Sequence, residues 1–480
     1  MPAGLKILVI GLPLTILYFI GLGTLHLLKK FYHKYNKLYK FASNVHRDGL
    51  SLAMRSCKSR APASTIADMV VITLKPKEDI RIRQGHPWIY DNEIAVVEGL
   101  PAPGEEVEVH DARGLPIGYA LFNPHSKIRA RVYSKTVKHA DEAYFIQAFE
   151  TAKQWRDFNF GTQRMSLRLV YGEADSVPGL IVDGFIGIPI DDDNPEKQIQ
   201  RQDVQPGLWL VVQFLSLGVD VRKSMILNAL HTVFKPDGII ERSDAPVRRL
   251  EGLEESTGVL AGSVPNLVCI EENGALFEID LAGGQKTGWF LDQRANRRDA
   301  ARYAAGQRVL DMFCNQGGFS VLAAKAGAAS VLAVDSSADA LELLRRNALR
   351  NGVADRITTI EANAFDYLRD LEKMGRRFGL IILDPPAFAK NRASLEGARR
   401  GYKELNLRAM HLLERGGVLV TCSCSHWVSP QLFDAVLADA AFDSNRRLRL
   451  LEERTQDLDH PIVVGYDESR YLKCRIVQVL

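Results

Sequence analysis

The sequence predicts an α/β protein, with a doubly wound parallel-sheet domain at its C-terminus preceded by a small β-barrel and an α+β middle domain. Three observations carry this. From about residue 283, short apolar strands alternate with helical segments whose apolar residues recur near every 3.6 positions. Between 70 and 142, short apolar runs alternate with turn residues, the spacing of a small barrel or sandwich. The 480 residues, 46% hydrophobic and 25% charged, exceed one ordinary domain and have a globular composition.

The first 68 residues differ from the rest. They hold ten Lys or Arg against two Asp or Glu, whereas the remaining 412 hold 51 against 56. Residues 7–28 contain no Asp, Glu, Lys or Arg, long enough for a membrane-spanning helix, and Lys29, Lys30, Lys34, Lys37 and Lys40 follow. That basic flank would leave everything downstream in the cytoplasm. One expectation for 1–68 is therefore a membrane anchor; the other is a dispensable extension, with Met69 starting the working chain. Bulk charge gives no ground for a nucleic-acid partner, which needs local basic patches. Six cysteines, at 57, 269, 314, 422, 424 and 474, show no disulfide-framework spacing and fit a reducing compartment.

Residues 69–142 form the expected barrel, flanked by Lys75, Lys77, Arg81, Arg83, Lys127, Arg129 and Arg131. The α+β part, 143–282, opens on a helix near 143–158 and contains an acidic stretch, 191–197, that reads as a solvated loop. From 283 to 480 the expected strands are 308–311, 330–335, 357–361, 380–384 and the run 418–423. The expected helices are 319–326, 338–351 and 402–413, the last stopped by Gly416 and Gly417. Ligands of such a sheet bind at the carboxyl ends of its strands.

Those strand ends carry a consistent set of residues. The first ends in Asp311-Met312-Phe313-Cys314-Asn315-Gln316-Gly317-Gly318, without the G-x-G-x-x-G of dinucleotide sites or the G-K-[ST] of a P-loop. Asp311 suits a cationic amino group, and the turn through Phe313 and Gly317 lets backbone approach a ligand closely. Asp335 closes the second strand, where an acid accepts from a ribose diol. Asn363, after the third, can face an adenine amino group. Together these residues describe S-adenosylmethionine in a class I methyltransferase. No metal site is expected, since the only further ligand type beside Cys422 and Cys424 is His426.

Longer signatures add a family. They are His86-Pro87-Trp88, Arg168-Leu169-Val170, Gly172-Glu173-Ala174-Asp175, Pro178-Gly179-Leu180, Arg242-Ser243-Asp244, Glu251-Gly252-Leu253 and the eleven residues from Gly284 to Arg294. Over 69–480 the chain resembles the cytoplasmic cytosine-C5 methyltransferases of 23S ribosomal RNA that carry an N-terminal PUA domain. The resemblance implies a PUA-like barrel that binds structured RNA. It also implies Phe290 near the adenosine, with Asp292 and Gln293 near the methionine end of the cofactor.

Carbon 5 of cytosine is a poor nucleophile, so a thiolate adding at carbon 6 is the expected route, with an acid beside N3. Asp384, in Asp384-Pro385-Pro386-Ala387, is the candidate acid, and the absence of an aromatic ring after the prolines disfavours exocyclic-amine methylation. By the resemblance, the nucleophile's Ser-Cys-Ser falls on 423–425, making Cys424 the nucleophile. Cys422, two residues back on the same strand face, is expected to be a buried small hydrophobe. Ala387 stands where some relatives carry a second cysteine. The competing readings are an exocyclic-amine RNA methyltransferase and a non-catalytic, membrane-tethered RNA-binding protein.

Overall fold

Three sheets follow one another along the chain, the first with side chains alternating between core and exterior and the third with its central strands buried on both faces. The structure, a computed structural model, describes residues 69–161, 165–190, 205–284, 287–389 and 391–480. The apolar run 7–28, the acidic stretch 191–197, and Gln285 with Lys286 of the long signature lie outside the described residues. Residues Met69–Leu480 form one compact unit.

The first sheet comprises β1 (Val70–Leu74), β2 (Trp88–Tyr90), β3 (Ile94–Glu98), β4 (Glu106–His110), β5 (Pro116–Phe122) and β6 (Ile128–Ser134), in the order β2-β6-β5-β4-β1-β3. In β4, Val107 and Val109 are buried while Glu106, Glu108 and His110 are not, which is the period-two pattern that set the expectation. The sheet wraps a small core that includes Ile72, Leu74, Ile89, Val107, Val109 and Ala130.

The second sheet comprises β7 (Leu167–Tyr171), β8 (Leu180–Ile190), β9 (Gly207–Phe214), β10 (Gly238–Ser243), β11 (Ser256–Gly262), β12 (Leu267–Glu272) and β13 (Ala275–Asp280). Its order is β11-β10-β9-β8-β12-β13, with β7 also on β8. Helix α1 (Glu142–Phe160) starts where Asp141 accepts the Tyr144 amide, and it buries Phe145, Ala148, Phe149 and Ala152, one face at helical spacing. Helix α2 (Lys223–Phe234) crosses between the parallel strands β9 and β10. A buried cluster joins barrel and second sheet: Arg131 pairs with Glu173 at 2.8 Å and Glu251 at 2.9 Å, while Asn123 and Ser126 donate to Glu251. Burial alone would raise the Glu251 pKa, but Arg131 and these donors bring it below the ordinary carboxylate value.

The third sheet comprises β14 (Arg308–Met312), β15 (Ser330–Asp335), β16 (Ile357–Glu361), β17 (Phe378–Leu383), β18 (Leu413–Ser423), β19 (Leu448–Arg454) and β20 (Lys473–Val479), in the order β16-β15-β14-β17-β18-β20-β19. Strands β14 to β18 are parallel, and β17, buried on both faces, is apolar over nearly its whole length. The helices are α3 (Arg294–Ala301), α4 (Gly318–Lys325), α5 (Ala338–Arg350), α6 (Ala364–Lys373), α7 (Leu395–Leu412) and α8 (Pro430–Asp443). The chain runs outward from β14 to β16 and returns to β17 on the other side of β14, which opens a crevice at the carboxyl ends of those two strands.

Two features differ from the sequence expectation. Helix α7 ends at Leu412, and Gly416 and Gly417 fall inside β18, where Gly416 at φ +83° lets the strand bulge against β17. Strand β20 is antiparallel and lies directly beside β18, the strand that carries Cys422 and ends just before Cys424. The second and third sheets share one apolar core, in which Phe277 and Trp289 meet with ring centres 4.7 Å apart. Side chains of this size contribute about 1.5–3 kcal/mol each when fully buried.

Candidate active site

A cavity of about 370 Å³ opens at the carboxyl ends of β14, β15 and β17 and beyond β18. Its wall on the β14 side is an unusual turn, in which Phe313, Asn315 and Gly317 all have positive φ, at +62°, +48° and +86°. A Cβ on Gly317 would lie 2.5 Å from Leu344 Cγ, so only glycine lets α4 begin there against α5. The turn points the Asn315 amide at Asp335, whose Oδ2 accepts it at 2.9 Å, while Oδ1 accepts the Ser337 amide at 3.0 Å. Asp335 is thus fixed by backbone at the end of β15, lines the cavity, and as a carboxylate has lone pairs to spare.

The segment before α3 forms the opposite wall and is pinned from the second sheet. Thr287 Oγ1 donates to Asp183 at 2.6 Å, Trp289 Nε1 to Glu272 at 2.8 Å, and Arg297 both pairs with Glu272 and donates to the Phe290 carbonyl. Phe290, Asp292 and Gln293 line the cavity. Tyr471 Oη donates to Asp292; burial, and then Asp292 itself, push the Tyr471 hydroxyl well above its ordinary range and keep it a donor. Gln293 lies between Asn296 and the cavity acid: Asn296 Nδ2 donates to its Oε1 at 2.6 Å, and its Nε2 donates to Asp384 Oδ1 at 2.9 Å. That orients the Asp384 carboxylate at the end of β17.

The two thiols at the end of β18 have different surroundings. Cys424 lines the cavity, with Sγ 3.9 Å from the Pro385 carbonyl oxygen. Cys422 is fully buried and in register with Cys474 on β20. Hydrogen bonding with the Cys474 thiol, together with burial, pushes the Cys422 pKa well above the ordinary thiol value, which keeps it an inert thiol.

Of the residues singled out from sequence, Phe290, Asp292, Gln293, Phe313, Asp335, Asp384 and Cys424 meet at this cavity. Gly317 shapes the turn. Asn363 caps α6, accepting the Phe365 amide at 3.0 Å, and does not line the cavity. Asp311 is fully buried behind the turn, with Ser320 Oγ donating to its Oδ2 at 2.6 Å. Gln316, Arg297, Tyr471 and Lys473 are not singled out by the sequence, and the last two carry no local signal, because β20 meets β18 only through an antiparallel pairing between strands far apart in the chain. On the barrel, Arg81 pairs with Glu93, and Arg83 with Asp79 and Asp111.

Comparison with known proteins follows the same outline. The chain is 39% identical over 411 residues to ribosomal RNA large subunit methyltransferase I of Tolumonas auensis, covering 85% of this chain and 98% of that protein. It is 39% identical over 413 residues to the protein of the same name from Aeromonas hydrophila, covering 85% and 98%. The chain belongs to the ribosomal RNA large subunit methyltransferase I family. Within this member, residues 72–135 match the family described as PUA-like domain, and 253–463 match S-adenosylmethionine-dependent methyltransferase. The second match starts upstream of the strand–helix alternation and takes in β12 and β13, in keeping with the core they share with the third sheet. Among solved structures, a SAM-dependent methyltransferase from Streptococcus mutans has the same fold, with TM-score 0.70 and 20% identity over 85% of this chain and 100% of that one. A methyltransferase complexed with SAH gives TM-score 0.71 at 21% identity, over 85% and 100%.

The cavity of this ribosomal RNA large subunit methyltransferase I family member fits S-adenosylmethionine, its cofactor. Gln316 lines the cavity, and its buried Oε1 has no hydrogen-bond partner among the described residues, as befits an acceptor for a cationic amino group. Asp311 Oδ1 is likewise without a partner, and burial pushes the Asp311 pKa up to about 7. Asp335 could accept from a ribose diol, and Phe290 and Phe313 line the same cavity, where an aromatic base could stack. Among the described residues, no group of three or more His, Cys, Asp or Glu could hold a metal ion, and no helix is long and apolar enough to cross a membrane.

Proposed function

We propose that this protein methylates carbon 5 of a cytosine in 23S ribosomal RNA through a covalent adduct on Cys424. The observation that carries this reading is that the Cys424 thiol and the Asp384 carboxylate line one cavity together with Asp335, Phe290 and Gln316. The names borne by the relatives supply the ribosomal RNA, a substrate that would keep the working part in the cytoplasm. The chemistry of cytosine supplies the need for a nucleophile.

When bound, S-adenosylmethionine provides an electrophilic methyl group on a sulfonium. Cys424 adds as thiolate to carbon 6 of the flipped base, which makes carbon 5 nucleophilic. Asp384, oriented by Gln293, acts in its protonated form and gives its proton to N3 as negative charge develops there. After transfer a base takes the proton from carbon 5, Cys424 leaves as thiolate while the carbon 5–carbon 6 double bond re-forms, and N3 returns its proton to Asp384. With Ala387 after the prolines, no second thiol follows that motif to assist release. Flipping the base costs a few kcal/mol, which contacts elsewhere on the RNA must offset.

Incubation with 23S ribosomal RNA containing 5-fluorocytosine tests this reading. A denaturation-stable adduct is expected with the wild-type chain and none with Cys424→Ala. Methyl transfer without any Cys424-dependent adduct would instead support methylation of an exocyclic amine.

A further inference from the structure

The chain leaves β18 through Cys424 and turns at once. The Val428 amide donates to the Ser425 carbonyl at 3.1 Å, closing a four-residue turn with His426 and Trp427 at its corners. Both ends of the turn are buried. Ser425 Oγ meets the Tyr402 hydroxyl at 2.9 Å and accepts the Ala389 amide at 3.2 Å, and the Ser425 carbonyl also accepts from Lys473 Nζ at 2.7 Å. Val428, 1% exposed, belongs to a small apolar core with Tyr402 and Phe433. Side chains of α7, α8 and β20 therefore fix the turn, and its corners stand outside that core.

Those corners carry two aromatic rings. Trp427 is 44% exposed and His426 is exposed beside it, with ring centres 5.8 Å apart and planes nearly perpendicular. Tryptophan is on average a well-buried residue, so an indole held out by a fixed turn is informative when its position is too. Trp427 lies three residues past Cys424, which lines the cavity, and three residues of chain span at most about 11 Å. The bond between Ser425 and Ala389 also ties the turn to the segment after β17, where Pro386 and Ala387 line the same cavity and are exposed. The aromatic pair thus adjoins the side on which the cavity meets solvent.

A base that leaves its stack to enter a cavity strips its neighbours in the RNA of a stacking partner. Aromatic side chains receive such bases because every base has a flat π face, and one stack is worth about tenfold in affinity. We propose that Trp427, with His426 packed against it, stacks on a nucleobase next to the one drawn into the cavity, and so helps hold the RNA in its base-flipped state. The proposal rests on the reading that an RNA base enters this cavity, and not on which of its atoms is methylated.

Two measurements on the full chain with an unmethylated 23S ribosomal RNA transcript test it. In tritiated-methyl incorporation, Trp427→Ala is expected to lower kcat/KM about tenfold, while Trp427→Phe, which keeps a stacking face, stays within about threefold of wild type. Affinity for S-adenosylhomocysteine is expected to be unchanged in both. In tryptophan fluorescence, the transcript is expected to quench a component of wild-type emission that Trp427→Phe lacks. A wild-type kcat/KM in Trp427→Ala overturns the proposal. So does an equal loss in Trp427→Phe, a parallel loss of S-adenosylhomocysteine affinity, or the same amount of quenching in wild type and Trp427→Phe. Quenching needs no turnover, and labelled methyl is counted on whichever base atom receives it. Both results are therefore separate from the 5-fluorocytosine adduct, whose absence would sink the cytosine reading alone.

Discussion

In the barrel, charged side chains are answered from within the fold: Arg81 meets Glu93, Arg83 meets Asp79 and Asp111, and Arg131 is buried between Glu173 and Glu251. At the carboxyl ends of the third sheet the polar side chains instead reach an open cavity, with Asp335, Asp384 and Cys424 coming from three different strand ends. The cause is topological. The reversal of strand order around β14 leaves a crevice between diverging connections, whereas the closely wrapped barrel fills its interior with Ile72, Val107 and Ala130. Charge in the barrel therefore orients domains, while charge at the third sheet is available for chemistry.

The largest effect is expected at the two thiols, since they test whether the cavity alone is reactive. Cys424→Ala should lower methyl transfer on the order of 10³-fold or more, while Cys422→Ala should leave it within a few-fold and cost about 1 kcal/mol of stability. Radiolabelled methyl incorporation and thermal melts separate the two outcomes. Equal loss in both variants would erase the distinction between the buried and the cavity-facing thiol.

Next is Arg131→Met, which strands Glu173 and Glu251 without their buried cation. It should destabilise the protein by about 3–5 kcal/mol in denaturant titration while transfer per folded molecule is retained. A strong loss of transfer at full stability would place the barrel in the chemistry rather than in the packing.

Asp311→Asn probes the third sheet through pH. Burial raises the Asp311 pKa from 3.8 to about 7, so the folded chain holds this proton more tightly than the unfolded chain. Its contribution is complete below the unfolded value and is lost as pH rises toward 7. Without cofactor, the variant should gain on wild type between pH 5 and pH 8, by about 1.4 kcal/mol for each pH unit from 5 up to about 7. Parallel melting curves at both pH values would refute a buried carboxylate cost.

The smallest effect is expected from Arg81→Glu with Arg83→Glu. Both arginines already serve internal carboxylates, so affinity for a 23S ribosomal RNA fragment should change less than about twofold at equal salt. A tenfold loss by filter binding would make the barrel face a substrate surface.

How much was legible depended on the range of the interaction. The strand ends Asp335 and Asp384 could be read because a parallel strand followed by a helix marks its own carboxyl end. The long signature flagged Phe290 and Gln293 as it stood. Asn363 shows the limit: a helix cap and a ligand contact both put Asn directly after a strand, and the structure shows the cap. Gln293 was expected beside the cofactor, yet its hydrogen bond goes to Asp384, 91 residues away. Nothing near Lys473 or Tyr471 hinted at the thiol, because their positions follow from β20 pairing antiparallel with β18.

The amino-acid order alone determined the alternation of strands and helices, the turn after β14 and the two thiols spaced to share a strand face, since these depend on neighbours within a few residues. Only the tertiary structure decided which thiol opens to the cavity and which is sealed against Cys474, and which cation stands beside the end of β18. Those outcomes depend on the pairing of strands about fifty residues apart, and on burial that arises only when the sheets pack together.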